Sequence, residues 1–284
     1  MNLYQILLNQ DNFSDTEKEI AKYIINNNKD VLQMSIQELA TKTYLSTATI
    51  IRFCKHLGFR GFKEFKMQYS IDYNAYLLNT RNVDFNSPFT GKENVNQLAI
   101  NMASLTKQTV DLCLNILDYE VISRVVSKLI ISENIVAVGV SDSFIRIIDF
   151  QNKMLKINLF VKTSYLQPDM AYVCAQATPN DVALLVSYSG KTSEVINEAQ
   201  ILSQRNVPII AITSDKKSPL ALYATEIILL PNEENKLMAN YSYASQIAIE
   251  YVLNVIYSSI YNANYKENKE FLQIYRKKYL HPDK

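Results

Sequence analysis

Cysteine and glycine are scarce in this chain, and each shortage excludes a class of protein. The three cysteines, Cys54, Cys113 and Cys174, are scattered without the spacing of metal ligands. An odd and sparse count favours reduced thiols over a disulfide framework. With only five glycines, the chain contains neither G-x-G-x-x-G nor G-x-x-x-x-G-K-[ST], which disfavours a nucleotide ligand. We therefore expect no metal ion and no cofactor.

The chain also lacks a charge excess and a long apolar run. Its formal net charge is +1, so a surface that binds nucleic acid would have to be local. No apolar run reaches the roughly 18–20 residues that a membrane span needs. The N-terminus has neither the basic start nor the long apolar core of a signal peptide. The sequence thus predicts a cytoplasmic protein that does not bind a membrane.

The distribution of apolar residues divides the 284 residues into three parts. Residues 1–78 are dense in helix signals, residues 79–93 are polar and indicate a linker, and residues 94–284 form the third part. Short apolar runs in that third part alternate with amphipathic stretches, which indicates parallel strands buried on both faces. We therefore predict an α/β doubly wound domain with a parallel five-stranded sheet, preceded by a helix over 94–117 and followed by one over 238–261. The predicted strands lie within 134–140, 158–163, 181–188, 207–213 and 225–231.

The N-terminal part carries the signals of a helix-turn-helix. Ser14 precedes Glu17 by three residues and Ser35 precedes Glu38 by three, and each pair forms a capping box that starts a helix. A third helix can start at Ser46 after the short turn "KTYL". These signals predict an all-α domain over residues 1–78 in which a short second helix is followed by a turn and a third helix.

A local excess of basic residues begins in this turn and continues to Lys66. Lys42, Arg52, Lys55, Arg60, Lys63 and Lys66 are opposed only by Glu64 in that segment, which suits contact with DNA phosphates. Early residues of the third helix are expected to face base edges, and flanking residues to hold the backbone. The alternative is a three-helix interaction module with a solvated basic face. The candidates for double-stranded DNA are Thr47, Thr49 and Arg52 at base edges, Lys55, Arg60 and Lys63 at phosphates, and Ser46 as a helix cap that could also reach a phosphate.

The run from Ser14 to Lys66 closely resembles the N-terminal domain of RpiR-type transcription regulators. The matching pieces are "SDTEKEIAKYI", "SIQELA" and "STATIIRFCKHLGFRGFKEFK". The resemblance implies a DNA-binding helix-turn-helix domain. One departure is Tyr44, which stands in the turn where the family usually has glycine or another small residue.

Two polar corners follow predicted strands in the C-terminal part. The first is "VGVSDSF" (138–144) and the second is "SYSGKTSE" (187–194). Ligands of open α/β sheets bind beyond the carboxyl ends of strands, and a helix N-terminus offers free N–H groups to an anion. Hydroxyls and a close-approaching Gly190 together suit a phosphate. The alternative is that Ser187, Ser189 and Thr192 only form a turn and a cap. We expect Lys191 to point to solvent.

The segment 181–231 is similar to the second half of a sugar isomerase (SIS) domain. The family marker S-x-S-G-x-T-x-E is present as residues 187–194, followed by Ile212-Thr213 and by "SPLA" at 218–221. At the first corner Ser141 replaces a frequent second glycine, and Asn158 replaces another glycine before the next strand. The resemblance implies a phosphorylated sugar bound by Ser187, Ser189, Gly190 and Thr192, with Ser141 and Ser143 contributing from the first corner.

Three functions are compatible with these features: a sugar-responsive DNA-binding regulator, a phosphosugar isomerase or lyase of the SIS type, and a DNA-binding dimer that ignores sugars. Isomerisation needs a positioned general base. His56 lies in the predicted third helix and His281 in the tail, while Glu233 and Glu234 lie in "PNEENK", which indicates a solvated loop. We therefore predict a regulator that is not an enzyme, forms at least a homodimer, and reads a palindromic operator.

Overall fold

A computed structural model describes residues 2–80, 83–234, 242–275 and 278. The chain forms two compact units. The first comprises Met1–Val83 with Gly91–Ser104, and the second comprises Asp84–Thr90 with Leu105–Lys284. No helix among the described residues is long and apolar enough to span a membrane.

The first unit is helical, as the sequence predicts. The capping box of Ser35 forms as expected: the Ser35 N–H donates to Glu38 Oε2 at 2.6 Å, and the Glu38 N–H donates to Ser35 Oγ at 3.2 Å. Glu17 accepts both the N–H and the hydroxyl of Ser14 at 2.8 Å. The first, third and sixth of the helices before residue 81 were not predicted. These helices are α1 Leu3–Asn9, α2 Asp15–Asn26, α3 Asn28–Gln33, α4 Ile36–Lys42, α5 Thr47–His56 and α6 Phe62–Thr80.

A single apolar core joins these helices. Phe53 and Cys54 of α5 are buried in it together with Phe65 and Tyr69 of α6. The chain start is fixed by Asp72, whose Oδ2 accepts the Leu3 N–H at 2.6 Å in a buried position. Burial of one face of α5 leaves its other face to solvent, and that exposed face carries Thr47, Arg52 and Lys55, whereas Arg60 and Lys63 follow the helix in the chain.

The second unit is built on a five-stranded, all-parallel sheet of order β2-β1-β3-β4-β5, which confirms the prediction. The strands β1, β3 and β4 are buried at every residue. Such continuous burial is what their near-continuous apolar sequences favour. The strands are β1 Ile135–Val138, β2 Val161–Lys162, β3 Val182–Val186, β4 Ile209–Thr213 and β5 Glu226–Leu229.

Helices cover both faces of this sheet. One apolar core packs α8, α9 and α12 against the sheet, and a second core packs α10 and α11 on the other face. The predicted helix over 94–117 is α7. The predicted helix over 238–261 begins at Tyr243; residues 238–241, like His281, lie outside the described residues. The helices are α7 Val95–Ile116, α8 Tyr119–Ile131, α9 Asp142–Leu155, α10 Gln167–Gln176, α11 Ser193–Gln204, α12 Tyr243–Ala263 and α13 Tyr265–Tyr275, with a 3₁₀ turn at Leu220–Tyr223.

Candidate functional site

The two polar corners lie side by side at the switch point of the sheet. β1 and β3 are neighbours, and their register pairs Val138 with Leu185, so both strands end at the same edge. From β1 the chain moves outward to β2, whereas β3 leads in the opposite direction to β4. Connections that diverge in this way open a crevice beyond the strand ends, which is where open α/β sheets bind ligands.

The second corner, residues 187–194, forms a tight hydroxyl-lined loop at the start of α11. Ser187 is buried, its Oγ lies 2.9 Å from Thr192 Oγ1, and its N–H donates to the Ile212 carbonyl at 3.1 Å. Ser189 is half-buried and its Oγ accepts the Lys191 N–H at 3.3 Å. The Lys191 side chain is exposed, as expected. The structure thus brings Ser187 and Thr192 together below the first turn of α11.

Position 190 requires glycine because its backbone is left-handed and because neighbouring atoms leave no room for a Cβ. Its φ is +63°, and a Cβ there would lie 2.1 Å from Ser218 Oγ and 2.9 Å from Thr213 Oγ1. Its carbonyl accepts the Leu220 N–H at 3.1 Å. Thr213 belongs to the Ile-Thr marker and Ser218 to the S-P-L-A marker of the sequence. The two markers therefore fix the position of the loop, because they supply the residues against which Gly190 packs.

The first corner combines an unusual backbone conformation at Ser141 with close packing at Gly139. Ser141 precedes α9 with φ +56° and ψ −125°, and its carbonyl accepts the Phe144 N–H at 3.0 Å. At Gly139 a Cβ would meet the Ile147 side chain at 2.7 Å, so helix and strand pack closely there. Asn158 also has a positive φ of 60°. Ser141 is exposed and Ser143 half-buried.

A cavity of about 250 Å³ adjoins the first corner. Ser141 and Ser143 line it, as does Tyr188 from the second corner. Ser187, Ser189, Gly190 and Thr192 belong to the adjoining loop rather than to its lining. The remaining lining residues are Val140, Asp142, Glu234, Ser242, Ser245 and Gln246.

Glu234 lies in a different environment from the one that the sequence predicted. The interpretation of 231–236 as a solvated loop is wrong at this position, because Glu234 is buried. Its Oε1 accepts the Ser245 hydroxyl at 2.7 Å, and its Oε2 accepts the Ser245 N–H at 2.9 Å. A carboxylate there satisfies a free N–H in the first turn of α12 and lies at the positive end of the helix dipole. A capping carboxylate eleven residues before its helix position has no local sequence signature.

Tyr188 links Glu234 to the second corner. Its hydroxyl donates to the Pro231 carbonyl at 2.8 Å and accepts the Glu234 N–H at 3.2 Å. Its carbonyl accepts the Ser214 N–H and hydroxyl, each at 2.8 Å. Burial raises the pKa of Tyr188 to about 12, so its phenol stays neutral at physiological pH. The second corner, Glu234 and the start of α12 are therefore joined by hydrogen bonds, and the first corner meets them along the cavity wall.

In the first unit, α4, a turn and α5 form the predicted helix-turn-helix. Ser46 caps α5, since its Oγ accepts the Thr49 N–H at 3.2 Å. Thr49 is half-buried with its hydroxyl 2.9 Å from Ser46 Oγ, so both hydroxyls are engaged in the cap. The exposed DNA candidates are Thr47, Arg52, Lys55, Arg60 and Lys63.

Two residues near this surface form contacts within the first unit that link its helices. Lys66, counted in the basic segment, donates from Nζ to the carbonyl of Met34 at 2.8 Å and thereby caps the end of α3. His56 Nδ1 lies 2.6 Å from Glu17 Oε1 and links α5 to α2. Neither contact is apparent from local sequence, because each joins residues far apart in the chain.

Comparison with known proteins matches both units. Residues 1–75 match the family model of the helix-turn-helix domain of the rpiR family, and residues 128–255 match the SIS domain model. The chain is similar to an uncharacterised HTH-type transcriptional regulator of Haemophilus influenzae, with 30% identity over 90% of this chain and 86% of that one. It is also similar to the HTH-type transcriptional regulator HexR of Escherichia coli, with 27% identity over 94% and 92% of the two chains.

Two solved structures are similar to the chain, one over nearly its whole length and one over the second unit. The Vibrio vulnificus NanR protein, solved in complex with ManNAc-6P, is 25% identical and covers 96% of each chain with a TM-score of 0.58. The sugar isomerase domain of an RpiR transcription factor from Sphaerobacter thermophilus covers 62% of this chain with a TM-score of 0.56 and 16% identity, which shows the fold alone.

Proposed function

The chain belongs to the RpiR family of helix-turn-helix transcription regulators with a SIS domain, and from that premise we propose that a phosphorylated sugar at residues 187–194 changes its affinity for operator DNA. The observation that carries the proposal is the hydroxyl-lined loop at the start of α11. It stands at the switch point of a parallel sheet, where hydroxyls and a helix N-terminus adjoin the cavity.

In this proposal the phosphate binds the loop, and the sugar extends over the adjoining cavity. Ser187, Ser189 and Thr192 supply hydroxyls, and Gly190 allows the backbone to approach the phosphate closely. Ser141 and Ser143 lie on the cavity wall, where they can bond to hydroxyls of the sugar. A relative solved with ManNAc-6P supports a phosphorylated sugar as the ligand class.

For DNA we propose that α5 enters the major groove. Thr47, Thr49 and Arg52 then face base edges, while Lys55, Arg60 and Lys63 neutralise phosphates and Ser46 fixes the start of the helix. A two-fold dimer of the chain, paired through α7 and α12, would place two such surfaces on a palindromic operator. The sugar phosphate changes DNA affinity by binding two conformations of this dimer unequally.

The alternative function, a phosphosugar isomerase or lyase, requires a general base at the sugar carbons. Two carboxylates, Asp142 and Glu234, line the cavity together with Ser141 and Ser143. Asp142 is exposed at the start of α9, whereas Glu234 is buried and both of its oxygens already accept hydrogen bonds from Ser245. This engagement favours a role in positioning α12. Incubating the full chain with any phosphosugar that binds, and assaying for an isomer or a cleaved product, tests the alternative directly.

The sugar response is tested with Ser189→Ala. A panel of sugar phosphates is first screened by thermal shift on the full chain, because a ligand that binds only the folded state raises Tm. With the sugar phosphate giving the largest shift, we expect Ser189→Ala to lose the shift and the change in DNA affinity while DNA binding itself persists. Ser203→Ala, an exposed serine at the far end of α11, is the control. An unchanged response in Ser189→Ala would remove the loop from the ligand site.

The DNA assignment is tested with Arg52→Ala and Lys63→Ala. Operator duplexes are first selected from a random-sequence pool with the wild-type chain. We expect Arg52→Ala to weaken binding to the selected duplex more than to random DNA, since a lost base contact costs roughly 1–3 kcal/mol of discrimination. Lys63→Ala should weaken both equally and reduce the salt dependence. Equal losses for Arg52→Ala on the two duplexes would contradict its role at base edges.

A further inference from the structure

The turn between α4 and α5 contains a backbone strain that packing does not explain. The N–H of Tyr44 donates to the Thr41 carbonyl at 3.2 Å, and that of Leu45 donates to the Ala40 carbonyl at 2.9 Å. These two bonds form a Schellman motif, whose residue in the left-handed region is usually glycine. Here that residue is Tyr44, with φ +56°. A side chain with a Cβ is strained in this conformation.

Among the described residues, no contact of the Tyr44 side chain compensates for this strain. It is 96% exposed, and among the described residues it has no hydrogen-bond, ion-pair or ring partner. Burial of the ring therefore does not offset the backbone strain. Strained residues of this kind concentrate at sites where a ligand or partner uses them.

The neighbours of Tyr44 indicate the partner. The exposed side chains around it are Thr41 and Lys42 before the turn, and Ser46 and Thr47 after it. They are hydroxyls and a cation, not an apolar patch, which favours a polyanion over a protein surface. Tyr44 also stands two residues before the cap of α5, the helix that we place in the groove.

We propose that Tyr44 binds the DNA backbone beside the groove that α5 enters. Its phenol O–H donates to a phosphate oxygen, and its ring covers the adjacent deoxyribose. Contact at the start of α5 fixes the depth and angle of that helix, so Tyr44 is a positioning residue for base readout by Thr47 and Arg52. This inference rests on the proposed DNA binding.

Two substitutions in the full chain separate a DNA contact from a structural role. Tyr44→Gly removes the strain, so we expect Tm to rise by about 2–4 °C while affinity for the duplex selected with the wild type falls roughly fivefold or more. Tyr44→Phe keeps the backbone and the ring, so Tm should stay unchanged while affinity falls because the phosphate bond is lost. Tyr172→Ala, which removes a tyrosine that is 70% exposed in α10, should leave affinity unchanged.

Tyr44→Gly is expected to raise Tm and to lower DNA affinity, so a loss of affinity in this variant would not reflect a loss of stability. Wild-type affinity in Tyr44→Gly would overturn the contact, and wild-type affinity in Tyr44→Phe would overturn the phosphate bond. Both results presuppose that the wild-type chain binds the selected duplex. If the wild type binds no DNA at all, the proposed function fails instead, so the two failures are distinguishable.

Discussion

Gly190 and Ser218 approach so closely that a Cβ at position 190 would lie 2.1 Å from the Ser218 hydroxyl oxygen. Ser218 is buried, and its N–H donates to the Asp215 carbonyl at 3.1 Å, so it has little room to move away. The loop after β3 therefore takes its shape from the loop after β4. Contact through backbone and a fixed side chain holds the two loops rigidly together.

This contact predicts that Gly190→Ala is strongly destabilising. Left-handed strain and a steric clash together should lower the free energy of unfolding by roughly 2–4 kcal/mol and abolish the sugar-phosphate thermal shift. Gly91→Ala is the matched control, because Gly91 has φ +85° and nothing within 4 Å of a Cβ, so it reports strain alone. Ser218→Gly in the Gly190→Ala background should restore part of the loss. Equal effects of Gly190→Ala and Gly91→Ala in denaturant melts would contradict the clash.

The buried pair of Glu234 and Ser245 gives a second prediction. Glu234→Ala leaves the N–H and hydroxyl of Ser245 without their acceptor, which should cost about 2 kcal/mol. Ser245→Ala should cost less, because its N–H still reaches the carboxylate. A double-mutant cycle should show coupling of about 1 kcal/mol or more. Glu233→Ala, its exposed neighbour, should be close to neutral. Additive effects at positions 234 and 245 would refute the bond between the Ser245 hydroxyl and the Glu234 carboxylate.

Local signals account for most of what the sequence predicted correctly. The Ser35 capping box, the Ser46 cap and the five apolar strands depend on residues close together in the chain, and the structure confirms them. The burial of Glu234 was missed because its partner, Ser245, lies eleven residues away in the chain. Lys66 and His56 were missed as structural contacts for the same reason, since their partners lie more than thirty residues away.

The three residues that stand in place of a frequent glycine or small residue share one backbone feature. Tyr44, Ser141 and Asn158 each replace a residue that the resembling families often have as glycine or small, and each keeps a positive φ. Each position therefore adopts a backbone conformation that glycine reaches at the lowest cost, although none of the three is glycine. A sequence pattern identifies such positions, but it does not show the sign of φ or that Tyr44 is left exposed.

The three thiols should be unreactive in the folded protein. Burial raises the pKa of Cys54 and of Cys174 to about 12 and that of Cys113 to about 11, so almost no thiolate forms at pH 8. We expect a colorimetric disulfide reagent to modify the native chain at least about a hundredfold more slowly than free cysteine, and to modify all three thiols at once in denaturant. Fast labelling of one thiol in the native chain would contradict its burial.

Glu198 of α11 should destabilise the protein at neutral pH. It is buried, its Oε2 has no hydrogen-bond partner among the described residues, and burial raises its pKa above the ordinary 4.5. A carboxyl with a raised pKa contributes most stability below 4.5 and loses it as pH rises through the folded value. Glu198→Gln should therefore raise Tm by roughly 2–4 °C at pH 7.5. The gain should shrink as pH approaches 4.5.

Glu194, one turn earlier on the same helix, provides a control of opposite sign. Hydrogen bonds from its own backbone N–H and from the Ser193 hydroxyl lower its pKa, so its contribution is present above 4.5 and is lost as pH falls. Glu194→Gln should thus lower Tm slightly at pH 7.5, where Glu198→Gln raises it. The two variants should converge toward wild type as the buffer is acidified. A loss of stability in Glu198→Gln at pH 7.5 would mean that the charged carboxylate has a stabilising partner in the folded protein.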